Sequence, residues 1–420
     1  MKSIIVLALL LLGTTATMAK LSKTTITDSS FVQVPKAILN TSLSDAKLFL
    51  NATANSVFFS PGDTNETIYL WSIDWDSEEG TSKSIIRRAI DTSTLETKGD
   101  DTSFDIQIES RNGVMGIAAV GYAGFLSIRD EGEDTPDQIY FSILPANATS
   151  DTKPIEVKLT DNDDSDEAYS IVNAWFQDGY FYVLFLQYET ERGFEEEIYL
   201  QAVKTDGSLR YKEPVEVASI HNPPGTTYPI AGPNNSTDAS SIYVVYKEFK
   251  SRTSKQAIVT LSNGEVSEPT KLVADSRSVR YFPDGMIVSS SVFGVVLARL
   301  ERKEGDMSES LKVYYNGAVS KPEALDIKAP EGYRQPTIQS FDHTGGFVLL
   351  AQYTGEDDVA FVMKIFNSDG SQQDAQKTLA HTQGSMMFFN DASGALWVGY
   401  SNFNLSSGKI SASYLGKVME

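Results

Sequence analysis

Four glycines set the rhythm of this chain. Gly207, Gly264, Gly317 and Gly370 sit in the related phrases TDGSLRYKEPVEVAS, SNGEVSEPTKLVAD, NGAVSKPEALDIK and SDGSQQDAQKTLA, at steps of 57, 53 and 53 residues. A fixed period in this range means one supersecondary unit repeated and stacked, because a single unit cannot bury its own apolar face.

Each unit holds an apolar run suited to a central strand: residues 68–75, 114–122, 180–188, 241–249, 293–301, 346–354 and 395–403. The runs are short, rich in β-branched and aromatic residues and bounded by turn residues, which marks strands rather than helices. The mature chain shows no 3.6-residue apolar stripe, so the expectation is all-β. Residues 168–219 give the clearest unit. AYSIVNAWF forms strand A, and a turn at Asp178–Gly179 leads to strand B at 180–188. EEIYLQAVK forms strand C, and a turn at Asp206–Gly207 leads to strand D in PVEVAS. Asp-Gly between apolar runs favours a hairpin, because both positions tolerate positive φ. Pro154, Pro214, Pro269 and Pro322 each open a strand D, where a residue without an N–H suits the start of an outermost strand.

Four-stranded antiparallel units in tandem resemble the blades of a β-propeller, packed radially around a channel. Seven central runs imply seven blades. Segment 40–50, NTSLSDAKLFL, aligns with 316–326, so the N-terminus carries a turn and a strand D; the stretch from Ser385 onward carries only A, B and C. A last blade shared between the two ends would close the ring, whereas an elongated solenoid would want capping units. The expected organisation is a signal peptide at 1–19, an N-terminal arm or strand at 20–43 and a single propeller domain at 44–420. The motifs of WD40, kelch and sialidase blades are not found, so the resemblance is to an architecture and assigns no activity.

Residues 1–19 carry one lysine, an apolar run from Ile4 to Leu12, and small residues at Ala16, Thr17 and Ala19, the layout of a secretory signal. That run falls short of the roughly 20 residues that span a bilayer. The expectation is a secreted, extracellular protein with no transmembrane segment. The chain has no cysteine, which excludes disulfides, thiolate metal sites and a thiol nucleophile. A net charge of −21 argues against nucleic acid as partner, since phosphates would be repelled. Seven Asn-X-Ser/Thr sequons occur, at Asn40, Asn51, Asn65, Asn147, Asn234, Asn235 and Asn404. Composition alone predicts roughly three, so a glycoprotein is favoured.

In such a blade the A–B and C–D turns lie at one end, and the B–C and D–A connections at the other. Asn40, Asn65, Asn147, Asn234 and Asn235 map to the first end; Asn51 and Asn404 map to the second. The second end also gathers acid, with Glu131, Glu133, Asp134, Glu195, Glu196, Asp357 and Asp358 in B–C loops and Asp163, Asp164 and Asp166 in a D–A loop. Loops on one face of a rigid scaffold are where binding usually resides. Charge of this kind also serves solubility alone. The segment from Asp161 to Glu167 alternates oxygen ligands as a calcium loop does, yet it has Asp166 where the turn glycine belongs and Val172 in place of the last glutamate. The metal is therefore unknown, and calcium is an option without a motif. No other cofactor is implied.

No nucleophile elbow, HExxH or phosphate loop is present, and no catalytic residue is assigned. Arg280 and Arg334 follow D–A loops and are the candidates for facing a channel mouth. Three readings result. The leading one is a non-catalytic binding or structural module, contacting an extracellular protein or glycan, or further copies of itself, through the acidic loops. The others are a carbohydrate-active hydrolase using carboxylates at the channel mouth and a calcium-stabilised adhesion module.

Overall fold

A computed structural model describes residues 47–50, 56–76, 81–104, 108, 114–132, 137–161, 167–189, 195–220, 229–235, 238–248, 253–273, 286–290, 294–302, 309–316, 325–328, 334–343, 346–354, 359–367, 377–382, 384–404 and 409–417. Among these residues every regular element is a strand, and all the pairings are antiparallel. The strands fall into seven sheets. Sheet one comprises Ser56–Pro61, Thr67–Asp76, Thr81–Asp91 and Thr102–Phe104. Sheet two comprises Met115–Ala119, Tyr122–Arg129, Gln138–Pro145 and Ile155–Lys158. Sheet three follows with Glu167–Gln177, Tyr180–Glu189, Glu196–Lys204 and Val215–Ile220. In each the four strands pair in chain order, and they are called A to D below.

Sheet four has Ile230–Asn235, Asp238–Glu248 and Thr253–Thr260, with its D position divided between Glu265–Val266 and Thr270–Val273, both paired to strand C. Sheet five has Met286–Ser290, Gly294–Arg302, Glu309–Asn316 and Leu325–Lys328; sheet six has Arg334–His343, Gly346–Thr354, Val359–Asn367 and Lys377–Thr382. Sheet seven holds Gly384–Asn390, Leu396–Asn404 and Lys409–Lys417, and its fourth strand is Lys47–Leu50 from near the N-terminus. Successive A strands lie beside one another from sheet one to sheet seven, and the A strand of sheet seven lies beside that of sheet one.

The hairpin at Asp178–Gly179 forms as its residues require. Both have positive φ, 52° and 79°, and Gln177 pairs with Tyr180 across the turn. The repeat glycines gain a second reason for being glycine. Gly207 and Gly264 have φ of 86° and 73° in their C–D turns. A Cβ at Gly207 would lie 2.5 Å from Ile155 on strand D of sheet two, and one at Gly264 would lie 2.7 Å from Val215 on strand D of sheet three. Each turn is pressed onto the preceding sheet. Gly317, Gly370 and Pro322 lie outside the described residues.

Six of the seven apolar runs coincide with strand B of their sheets. The run 114–122 does not. Met115–Ala119 is strand A, Val120–Gly121 is a turn with Gly121 at φ 75°, and strand B begins at Tyr122. The small residues of that run answer to packing, since a Cβ at Gly116 would fall 2.0 Å from the Phe58 ring of sheet one.

The core lies between sheets. Trp71 is fully buried, donates from Nε1 to Ser60 Oγ at 2.8 Å, and stacks at 5.7 Å on Phe104. Phe58 lies parallel to it, and Phe125 of sheet two meets it edge-on at 5.7 Å. Phe141 of sheet two approaches Phe181 of sheet three at 4.9 Å. Leu184, Leu200 and Ala202 of sheet three pack with Ile242, Val244 and Val259 of sheet four. Phe59 stacks at 5.9 Å on Phe389 of sheet seven, beside Trp397 and Leu415.

Candidate binding rim

Strand order puts the B–C and D–A connections at one end of each sheet, and sheet two shows the convergence directly. Lys158, the last residue of its strand D, reaches Glu131 Oε2 of the B–C loop at 3.0 Å and Asp161 Oδ1 of the D–A connection at 2.9 Å. Tyr140 faces Lys158 across the C–D register and donates its hydroxyl to Glu131 Oε1. Arg129, at the end of strand B, holds Glu156 with both terminal nitrogens, at 2.9 and 2.6 Å, and lies 4.2 Å above the Tyr140 ring.

These contacts fix the charge states. The Tyr140 hydroxyl and then the Lys158 ammonium hold the Glu131 carboxyl below the usual carboxylate range. Burial pulls Lys158 down, but the carboxylates of Asp161 and Glu131 outweigh it and raise the ammonium. Burial and the Glu131 carboxylate raise the Tyr140 phenol. Each of these groups therefore keeps its ordinary charge at neutral pH.

The acid continues onto sheet three. Burial raises the Tyr188 phenol, and the carboxylates of Asp137 from sheet two and Glu196 from sheet three push it further. Tyr188 lies within electrostatic reach of Asp137 on the neighbouring sheet and pairs with Glu196 across the B–C register. Glu195 is exposed there, and Glu197 accepts from Tyr199 Oη at 2.7 Å. Glu196 is fully buried, so of this triplet Glu195 is the one turned to solvent.

The predicted residues divide accordingly. Glu131, Glu195 and Glu196 sit at the B–C ends of sheets two and three, with Glu131 and Glu195 exposed. Arg334 opens strand A of sheet six, paired with Thr354. Glu133, Asp134, Asp163, Asp164, Asp166, Arg280, Asp357 and Asp358 lie outside the described residues. Of the sequons, Asn65 and Asn147 are exposed in an A–B turn and a C–D connection. Asn234 and Asn235 end strand A of sheet four, and Asn404 ends strand B of sheet seven; Asn40 and Asn51 lie outside the described residues. Among the described residues no three His, Asp or Glu side chains are grouped to hold a metal ion, and no helix is long and apolar enough to cross a membrane.

Sequence reasoning missed Lys158, Tyr140 and Arg129, the partners that occupy Glu131, Asp161 and Glu156. Tyr140 and Lys158 meet only through the register of strands C and D, which an intervening connection of variable length conceals.

No protein-family model matches the chain, and no curated protein matches it. Among solved structures it is similar to the β-propeller domain of the Trilobed protease from Pyrococcus furiosus, at 11% identity and a TM-score of 0.46, covering 89% of this chain and 97% of that one. It is also similar to prolyl oligopeptidase B from Galerina marginata, at 12% identity and a TM-score of 0.45 over 86% of this chain. The chain spans about half the length of that enzyme, 47%. A third likeness is to an α-L-arabinofuranosidase from Fusarium graminearum, at 11% identity and a TM-score of 0.43, covering 70% and 89%.

Proposed function

We propose that the protein is a secreted, glycosylated seven-bladed β-propeller, closed by a last blade shared between its N- and C-terminal strands. It acts as a non-catalytic binding or structural module that meets an extracellular protein or glycan through its acidic B–C and D–A loops. The ring is supported by the serial contacts of the A strands and by the pairing of Lys47–Leu50 with Lys409–Lys417. The binding reading is carried by one observation: Lys158 joins Glu131 and Asp161, so the two kinds of connection that bear the acid come to the same end. A surface whose carboxylates outnumber its cations attracts a cationic partner over several ångströms and does so less as salt rises.

The test is isolation of the native protein from the medium of its source, with its assembly state followed by size-exclusion chromatography and negative-stain microscopy at low and high salt. The expected result is a complex or polymer that salt weakens and that Glu131→Lys with Glu195→Lys disrupts. A monomer at every salt concentration that cleaves an oligosaccharide panel would replace this reading with a hydrolase.

A further inference from the structure

We infer that N-linked glycans on Asn65 and Asn147 share one rim over the first two sheets and shield it from protein contact, at the end away from the acidic loops. This rests on the reading of the chain as exported, and it adds which surface is closed to partners.

Asn147 is presented outward by its neighbours. Ala146 and Ala148 are buried, while Asn147 and Thr149 are exposed. Three contacts pin this turn. The Ala146 N–H donates to Gly121 O at 2.8 Å, the Ala148 N–H donates to Pro145 O at 3.0 Å, and Arg87 Nη1 donates to Ala146 O from sheet one. Asn65 is exposed in the A–B turn of sheet one, where its carbonyl accepts from Thr92 Oγ1 at 2.6 Å. The two turns adjoin. A Cβ at Gly121 would lie 3.7 Å from Asp63 Cβ, and Gly121 in turn bonds Ala146. One sequon asparagine therefore flanks each side of a continuous contact between two turns. A glycan is bulky and solvated, so two of them rooted here cover the A–B and C–D turns between them.

The full chain, with its first 19 residues, is expressed in a eukaryotic secretory host and its intact mass read before and after enzymatic deglycosylation. Asn65→Gln and Asn147→Gln should each lose the mass of one glycan. Thr149→Ala should match Asn147→Gln, while Thr149→Ser keeps the sequon and the mass, separating loss of the site from misfolding. Secreted protein whose mass none of these variants changes overturns the inference alone; protein retained in the cell overturns the export reading beneath it.

Shielding has its own readout, because the chain has no cysteine. A single Thr94→Cys, beside Asn65 through Thr92, is labelled with a polyethylene-glycol maleimide, as is Glu195→Cys at the other end. Deglycosylation should speed labelling several-fold at residue 94 and leave residue 195 unchanged. Equal effects at both, or none at either, would remove the shield.

Discussion

The seam between sheets one and two and the seam between sheets three and four are both crossed by an arginine, but from different places in the chain. Arg87 lies within strand C of sheet one; Arg210 lies beyond the end of strand C in sheet three. Each reaches the carbonyl that follows strand C of the next sheet. Arg87 Nη1 donates to Ala146 O, and Arg210 Nε donates to Leu261 O at 2.6 Å. Each guanidinium also lies over a tyrosine of its own strand B, Arg87 at 4.9 Å from Tyr69 and Arg210 at 4.5 Å from Tyr180. A carbonyl just past strand C has left the ladder, and a buried one needs a donor. The requirement is thus for a hydrogen-bond donor at that spot in space, and two different sequence positions supply the arginine that meets it.

The two latches differ in what they leave behind when cut. Ala146 O has Arg87 as its hydrogen-bond donor, whereas Leu261 O also accepts from Tyr211 Oη at 3.1 Å. Loss of Arg210 instead strands Tyr182, a fully buried phenol that receives Arg210 Nη1 at 2.8 Å. Arg87→Met should therefore cost roughly 2–4 kcal/mol, from an orphaned carbonyl and the lost ring contacts. Arg210→Met should cost about as much by itself. Adding Tyr182→Phe should recover about 1 kcal/mol of it by removing the orphan hydroxyl. Urea unfolding of the single and double variants checks this. A double variant no more stable than Arg210→Met would show that the Tyr182 hydroxyl is satisfied elsewhere.

The latches show where sequence reading stopped. Strand B is legible in six sheets because its residues read as short, continuous apolar runs; in sheet three these are buried on both sides, from Phe181 to Leu186. The Asp178–Gly179 and Asp206–Gly207 turns are legible because few residues tolerate the positive φ that Asp178, Gly179 and Gly207 adopt. Arg87 and Arg210 were not. Their partners lie 59 and 51 residues away, about one repeat, and nothing local marks an arginine aimed at the next sheet. The run 114–122 misled for the same reason. Its small residues answer to the Phe58 ring, in another sheet, rather than to its own strand order. At the acidic rim, the loops that carry the charge could be read from the chain, while Lys158 and Tyr140, which order Glu131, required the register.

The repeat glycines allow the seams to be weakened more gently. Gly179 and Gly207 share positive φ, 79° and 86°, yet a Cβ at Gly179 would meet nothing within 4 Å, and one at Gly207 would strike Ile155 at 2.5 Å. Gly179→Ala should cost only the backbone penalty, about 1 kcal/mol. Gly207→Ala should cost roughly 1 kcal/mol more, the price of moving strand D of sheet two. Gly264→Ala, 2.7 Å from Val215, should follow Gly207→Ala. Thermal unfolding of the three variants separates conformation from contact. Equal losses at 179 and 207 would mean that the turns are glycine for their φ alone and do not bear on the neighbouring sheet.

The smallest effect belongs to the acids that tie these turns. Asp206 accepts from Ser208 Oγ at 2.5 Å and from its N–H at 3.0 Å, with Lys204 Nζ at 3.2 Å. The serine hydroxyl, its N–H and then the lysine lower the Asp206 carboxyl to about 2. Asp91 repeats the arrangement with Ser93 and Lys98, and its carboxyl too is held below the usual range. A carboxyl depressed by folding binds its proton more readily in the unfolded chain. Its contribution is therefore complete above the unfolded value of about 4 and is lost as pH falls toward 2. Both groups are at the surface, where solvent screens the interaction, so Asp206→Asn should lower the melting temperature at pH 6 by about 1 °C or less. That difference should vanish near pH 2. Ser208→Ala, which keeps the carboxylate and removes its leading donor, should move the Asp206 titration back toward about 4, as followed by carboxyl NMR. An unmoved titration would transfer the effect to Lys204. The turn would then be held by its charge pair, which salt dissolves, instead of by a local hydrogen bond, which salt leaves in place.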